Sequence, residues 1–209
     1  MIAVVDYGMG NRRSVEKAFE HVGARTIVTD DAGLIREADA LVVPGVGAFP
    51  RGMANLRDRG LDELIRSRAA AGTPILGICL GMQLLFESSL EVRPESGLGL
   101  MPGEVTPLRA DGLRVPHIGW SEVRPERPSP LTTDLPSEGR PFYHVHSFVA
   151  RPAEPGDVIA TAEYGERFAS IVGRGNVYGV QFHPEKSSRD GLALLERFVA
   201  MTAAVPAGA

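Results

Sequence analysis

The first eighty residues alternate apolar strand runs with helix-patterned segments, and this alternation restricts the available folds more than any other feature of the chain. Ile2 to Tyr7, Arg25 to Thr29, Leu41 to Val43 and Ile75 to Ile78 read as strands, with helices near Ser14 to Val22 and Gly52 to Ala70 between them. Strand following helix following strand is the signature of βαβ units, so the pattern predicts a parallel sheet covered by helices. From Glu104 to Val180 the strand runs lie closer together and are broken by Pro and Gly, which predicts antiparallel strands extending the same sheet. A final amphipathic helix is expected from Asp190 to about Met201, because Leu192, Leu195, Phe198 and Val199 fall on one helical face. No internal repeat or interdomain linker appears, and the Pro-rich stretch Arg124 to Pro136 is short enough to be a surface loop. The expectation is a single-domain α/β fold in three layers over residues 1–203, with a central, mostly parallel sheet and a disordered tail at 204–209.

In an open parallel sheet the carboxyl ends of the strands face one crevice, so residues distant in sequence can meet there. Three strand ends carry side chains or backbone suited to chemistry. At the first, Gly77-Ile-Cys79-Leu-Gly81 joins a buried strand to a helix pattern in Leu84, Leu85 and Phe86. Small residues on either side allow a sharp turn that pushes the middle side chain outward, the form of a nucleophile elbow. A helix start favours thiolate over thiol through its free N–H groups. A lone cysteine is more often a small buried hydrophobe than a nucleophile, so its context has to decide. At the second strand end, Phe182-His183-Pro184-Glu185 places an imidazole two residues from a carboxylate. In an extended segment those two side chains point to the same side, where the carboxylate can hold the tautomer of a base that takes a thiol proton. Either residue alone would be an ordinary polar group at a strand end. At the third, Pro44-Gly45-Val46-Gly47 is a Gly-containing turn able to present backbone N–H groups to a developing oxyanion.

Other motifs point away from cofactors and polyanions. Gly8-Met-Gly10-Asn11 starts like a dinucleotide fingerprint, but Arg13 stands where the third glycine is needed. His117, His144 and His146 form no helical metal pair, and the chain has no second thiol, so no metal site is expected. The net charge of −4 gives no reason to expect nucleic acid or an anionic membrane surface as a partner. No apolar run approaches the roughly 18 residues of a membrane span, and no basic segment precedes Ile2-Ala-Val-Val. A single cysteine leaves no internal disulfide, so the cytoplasm is the expected location.

The Cys79 elbow, His183-Pro-Glu185 and Pro44-Gly45-Val46-Gly47 resemble the class I, or triad, glutamine amidotransferases. Asp6-Tyr-Gly-Met-Gly-Asn11, Pro44-Gly-Val-Gly-Ala-Phe-Pro50, Pro116-His-Ile-Gly-Trp120 and His183-Pro-Glu-Lys-Ser187 are similar to the glutaminase subunits of imidazole glycerol phosphate synthases, and the match runs from the first strand to Ser187. The resemblance implies hydrolysis of L-glutamine to glutamate and ammonia by a Cys79, His183, Glu185 triad, with Val46 and Leu80 N–H groups receiving the oxyanion. It further implies that Gly47, Gln83, Ser147 and Phe148 hold the glutamine α-groups, and it implies no organic cofactor. The ammonia would pass to a (βα)8-barrel cyclase in histidine biosynthesis, forming a heterodimer docked near Asn11, Trp120 and Lys186. Arg12, Ser121, His144 and Phe148 depart from the family pattern. The alternatives are a triad glutaminase serving another synthase, such as that for pyridoxal phosphate, and a binding subunit that keeps the fold without turnover. Copurification with a barrel cyclase discriminates between the two synthases.

Overall fold

The computed structural model describes residues 1–203. Its first half runs β1 (Ile2–Val5), α1 (Arg12–His21), β2 (Thr26–Thr29), α2 (Ala32–Glu37), β3 (Ala40–Gly45), α3 (Phe49–Asp58), α4 (Leu61–Ala70), β4 (Ile75–Cys79) and α5 (Leu80–Leu84). The second half supplies β5 (Phe86–Ser89), β6 (Glu95–Ser96), β7 (Met101–Pro107), β8 (His117–Pro125), β9 (Arg140–His146), β10 (Phe148–Pro152), β11 (Val158–Tyr164), β12 (Glu166–Arg174), β13 (Val177–Val180) and α6 (Ser188–Ala203). Nine strands form the main sheet in the order β2-β1-β3-β4-β13-β12-β11-β8-β9. The run from β2 to β13 is parallel, and the strands beyond β13 pair antiparallel.

Alternation along the parallel strands builds two cores. Ala3, Val5, Leu41 and Val43 face a layer containing Ile35 of α2, Met53 and Leu56 of α3, Ile65 of α4 and Leu84 of α5. Ile2, Val4, Ala40 and Val42 face Val15 and Phe19 of α1 and Leu195 and Phe198 of α6. Phe19 and Phe198 meet edge to face at 6.2 Å, closing α1 on α6. With both faces covered, each fully buried Leu, Ile, Val or Phe contributes about 1.5–3 kcal/mol over its exposed state.

Three differences from the sequence reading have physical causes. The helix expected over Gly52 to Ala70 is two: Gly60, at φ 65°, breaks it, and α3 begins earlier with Pro50 in its first turn, where a missing N–H is harmless. The short α2 has a single fully buried apolar residue, Ile35, and is started by the Asp31 carboxylate, which accepts from the Leu34 N–H at 2.9 Å. The second-half strands do not all extend one sheet. β8, β9 and β11 to β13 do, but β7 and β10 join β5 and β6 in a separate four-stranded sheet. β5 emerges directly from α5 outside the main sheet and pairs with β7 in parallel, so Phe86, Met101, Val105 and Ala150 are buried with the first core. The proposed tail at 204–209 lies outside the described residues.

Candidate active site

The sheet order brings the three sequence motifs together. β3 lies beside β4 with Gly45 opposite Cys79, and β13 lies on the other side with Val180 opposite Ile78. Cys79 therefore ends a strand flanked by the Val46 loop and by the segment leading to His183. Its backbone has φ 55° and ψ −111°, a conformation that side chains rarely adopt and that costs on the order of 1–3 kcal/mol. Tight packing holds it there. A Cβ on Gly81 would lie 1.7 Å from the Val43 carbonyl oxygen, and one on Gly77 would lie 2.6 Å from the Gly81 oxygen. The turn from β4 into α5 thus rests on bare backbone. Cys79 is 6% exposed, so the elbow is recessed rather than open to solvent as its sequence suggests. The thiol donates toward the Val145 carbonyl at 3.7 Å.

His183 is fixed by its backbone. Its N–H donates to the Tyr143 carbonyl of β9 at 2.9 Å, and its own carbonyl accepts from Ser187 Oγ at 2.7 Å. Ser187 Oγ in turn accepts the Tyr143 N–H at 3.0 Å. The His183–Glu185 pair forms differently from the expected extended segment. Pro184–Lys186 is a 3-10 turn, begun by a proline whose ring presets φ, and it folds Glu185 back so that Oε1 lies 2.9 Å from His183 Nδ1. Both side chains are nearly sealed, at 4% and 1% exposure. With Nδ1 committed to the carboxylate, Nε2 is the nitrogen left for another partner. Burial works against a charge on His183, but its interactions with Cys79 and Glu185 outweigh that cost and carry the imidazole up to about 10.

A cavity of about 270 Å³ joins these elements. Its lining includes Val46, Gly47, Cys79, Leu80, Gln83, Ser147, Phe148 and His183, with Lys186 at its edge and Glu185 behind His183. Every residue expected to touch glutamine or its oxyanion therefore borders one space. The residues expected at a partner surface do not share it to the same degree. Lys186 lines the cavity, Trp120 is half exposed on β8 against Tyr143, and Asn11 precedes α1 beside a separate depression with Asp6, Arg12 and Arg13.

Several contributors carry no distinct sequence signal. Tyr7 donates to the Pro44 carbonyl at 2.6 Å, and a Cβ on Gly45 would come 2.3 Å from its hydroxyl and 2.9 Å from Leu80 Cβ, so the end of β3 is seated on the segment after β1 and on the start of α5. Burial, reinforced by Cys79, pushes the Tyr7 phenol well above its ordinary value. Gln181 is fully buried beside Cys79, and an alternation-based reading gives such a residue only a strand position. His117, His144 and His146 also meet: His117 Nδ1 lies 3.4 Å from His146 Nε2, and His144 Nε2 lies 3.0 Å from Ser170 Oγ. Burial lowers all three, taking His146 to about 3. Among the described residues no group of three His, Cys, Asp or Glu side chains is arranged to hold a metal ion.

A family model described as glutamine amidotransferase class-I matches residues 3–201, and the chain belongs to the class I glutamine amidotransferase family. Among curated proteins it is 52% identical over 197 residues to the imidazole glycerol phosphate synthase subunit HisH of Moorella thermoacetica, covering 94% of this chain and 93% of that protein. The protein of the same name from Salinibacter ruber is 46% identical over 215 residues, covering 100% of this chain and 98% of its own. A crystal structure of a glutamine amidotransferase superposes with a TM-score of 0.76 at 21% identity, over 97% of this chain and 100% of that one. PurLQS from Thermotoga maritima gives 0.74 at 21% identity, over 96% and 97% of the two chains. At such identity these structural likenesses speak to the fold.

Proposed function

We propose that the chain is the glutaminase subunit of an imidazole glycerol phosphate synthase, hydrolysing L-glutamine and delivering ammonia to a cyclase subunit in histidine biosynthesis. The observation that carries this reading is a single cavity bordered by Cys79 and His183, with Glu185 against His183 Nδ1, in a chain similar along nearly its whole length to HisH proteins. Its volume of about 270 Å³ suits one amino acid, below the ~300–1,000 Å³ of drug-sized sites.

Cys79 gives its proton to His183 Nε2, and the thiolate attacks the side-chain amide carbon of glutamine. The resulting oxyanion is received by the Leu80 and Val46 N–H groups, donors of a kind worth about 10²–10³ in rate each. The imidazolium, held by Glu185, protonates the leaving nitrogen, and ammonia departs from a glutamyl thioester. Water then gives a proton to His183 and attacks the thioester, releasing glutamate and restoring the thiol. Gly47, Gln83 and the Ser147–Phe148 backbone hold the α-amino and α-carboxylate groups. The partner is a (βα)8-barrel cyclase, docked where Asn11, Trp120 and Lys186 lie, and the pair works in the cytoplasm. No described helix is long and apolar enough to cross a membrane.

Cys79→Ala tests the reading. Glutamate release is expected to vanish, while synthesis by the complex from externally supplied ammonia continues. Glutamine turnover surviving in the variant removes Cys79 from its role, and copurification with a different synthase replaces the proposed partner.

A further inference from the structure

Gln181 follows β13 directly and is 0% exposed, although its side chain is polar and belongs to no expected member of the site. Its backbone N–H is already committed to the Ser170 carbonyl at 2.9 Å. Its side-chain amide lies in a chain of hydrogen bonds whose direction is fixed from one end. Gln83 Nε2 lies 3.0 Å from the Phe148 carbonyl oxygen and 3.1 Å from Gln181 Oε1. A backbone carbonyl only accepts, so the Gln83 atom facing it must be the nitrogen. That nitrogen offers its second hydrogen to Gln181, which must answer with oxygen. The remaining end of the Gln181 amide, Nε2, is thereby turned to Cys79 Sγ at 3.9 Å. A donor at that place stabilises a sulfur anion more than a thiol, because hydrogen bonds to ionised acceptors are the stronger kind.

We infer that Gln181 donates a hydrogen bond that stabilises the Cys79 thiolate, with Gln83 as the positioning residue that locks the amide in the donating orientation. The inference deepens the reading of Cys79 as nucleophile and rests on it. The Val145 carbonyl, 3.7 Å from Sγ, accepts only from the protonated thiol, so it opposes ionisation of the sulfur while the Gln181 donor favours it. The titratable groups facing the sulfur are His183, with Glu185 behind it, and Tyr7; Glu91, His146 and Lys186 border the same cavity.

Cys79 is the only cysteine in the chain, so alkylation by iodoacetamide reports on this sulfur alone and needs no glutamine or partner. The measurement is alkylation rate against pH for the parent, Gln181→Met and Gln181→Glu. Gln181→Met is expected to slow alkylation about tenfold at neutral pH and to converge with the parent at alkaline pH, where the sulfur is ionised in both. Gln181→Glu keeps the shape and the bond from Gln83 but sets an acceptor against the sulfur, so it slows the neutral-pH reaction further. Gln83→Met, which leaves Gln181 in place but free to turn, shows a smaller slowing of the same form and serves where the Gln181 variants lose a cooperative melt. A parental rate at neutral pH, or a change equal at every pH, overturns the assignment. Unchanged alkylation together with lost glutamate release in Cys79→Ala would reject Gln181 alone, whereas turnover surviving in Cys79→Ala would reject the nucleophile reading beneath it.

Discussion

Cys79 combines a recessed side chain with a strained backbone, and both follow from what surrounds it rather than from the residue itself. Positive φ at a residue with a Cβ persists only when the structure over-determines it, as the bare backbones of Gly77 and Gly81 do here. Its partner His183 is oriented by Glu185, whose Oε1 lies 2.9 Å from Nδ1. Burial opposes a charge on His183, but its hydrogen bonds with Cys79 and Glu185 outweigh that and raise it to about 10. The imidazolium formed on taking the Cys79 proton should therefore persist well above neutral pH, and turnover should fail on the alkaline side as that proton is lost. Glu185→Gln removes a negative neighbour, so the charged form becomes easier to deprotonate and the alkaline limb of kcat/KM should move to lower pH. Turnover should also fall, by on the order of 10³–10⁴, the scale seen when a base loses the carboxylate that sets its tautomer. A variant with an unmoved alkaline limb would show that Glu185 does not govern His183.

At the scale of elements, the glycines that let β4 turn into α5 separate packing from conformation. Gly81→Ala would drive a methyl group to 1.7 Å from the Val43 carbonyl oxygen, and thermal melts should show a loss of at least about 3 kcal/mol or no folded protein. Gly72→Ala is the control: its φ of 83° is unfavourable but nothing lies within 4 Å, so the cost should stay near 1 kcal/mol. Equal losses would mean that the elbow can relax. The elements legible in the sequence include the strands β1, β2, β3 and β4 and the amphipathic α1 and α6, because burial of a strand or of one helical stripe leaves a periodic trace. What escaped was long-range. That β7 and β10 leave the main sheet depends on where β5 is aimed by the short α5, and no local pattern encodes that direction. The site followed the same division. Cys79, His183 and Glu185 stand beside Gly and Pro punctuation, whereas Gln181 acquires its place only when β13 lies beside β4, and Tyr7 only when the segment after β1 reaches the end of β3.

At the scale of the whole molecule, the surface displays apolar residues whose exposure gains a monomer nothing. Val46 is 44% exposed at the cavity, and Ile118 and Trp120, at 62% and 50%, stand two residues apart on β8. Lys186, exposed and lining the cavity, adds a positive charge to a chain whose net charge is −4. A partner carboxylate is its natural counterpart. Lys186→Glu should therefore weaken assembly with the cyclase, with the difference from the parent shrinking as ionic strength rises. Identical titrations at low salt would place the interface elsewhere.

The central claim is that Cys79 attacks the γ-carbonyl of a glutamine held in this cavity. Intact-mass and peptide mass spectrometry after exposure to a γ-chloroketone analogue of glutamine tests it most directly, because the reagent places an electrophile where the amide carbon would sit. The account predicts one adduct per chain, at Cys79, formed more slowly when glutamine is present. Labelling at any other residue, or labelling of Cys79 at a rate that glutamine does not change, would contradict it.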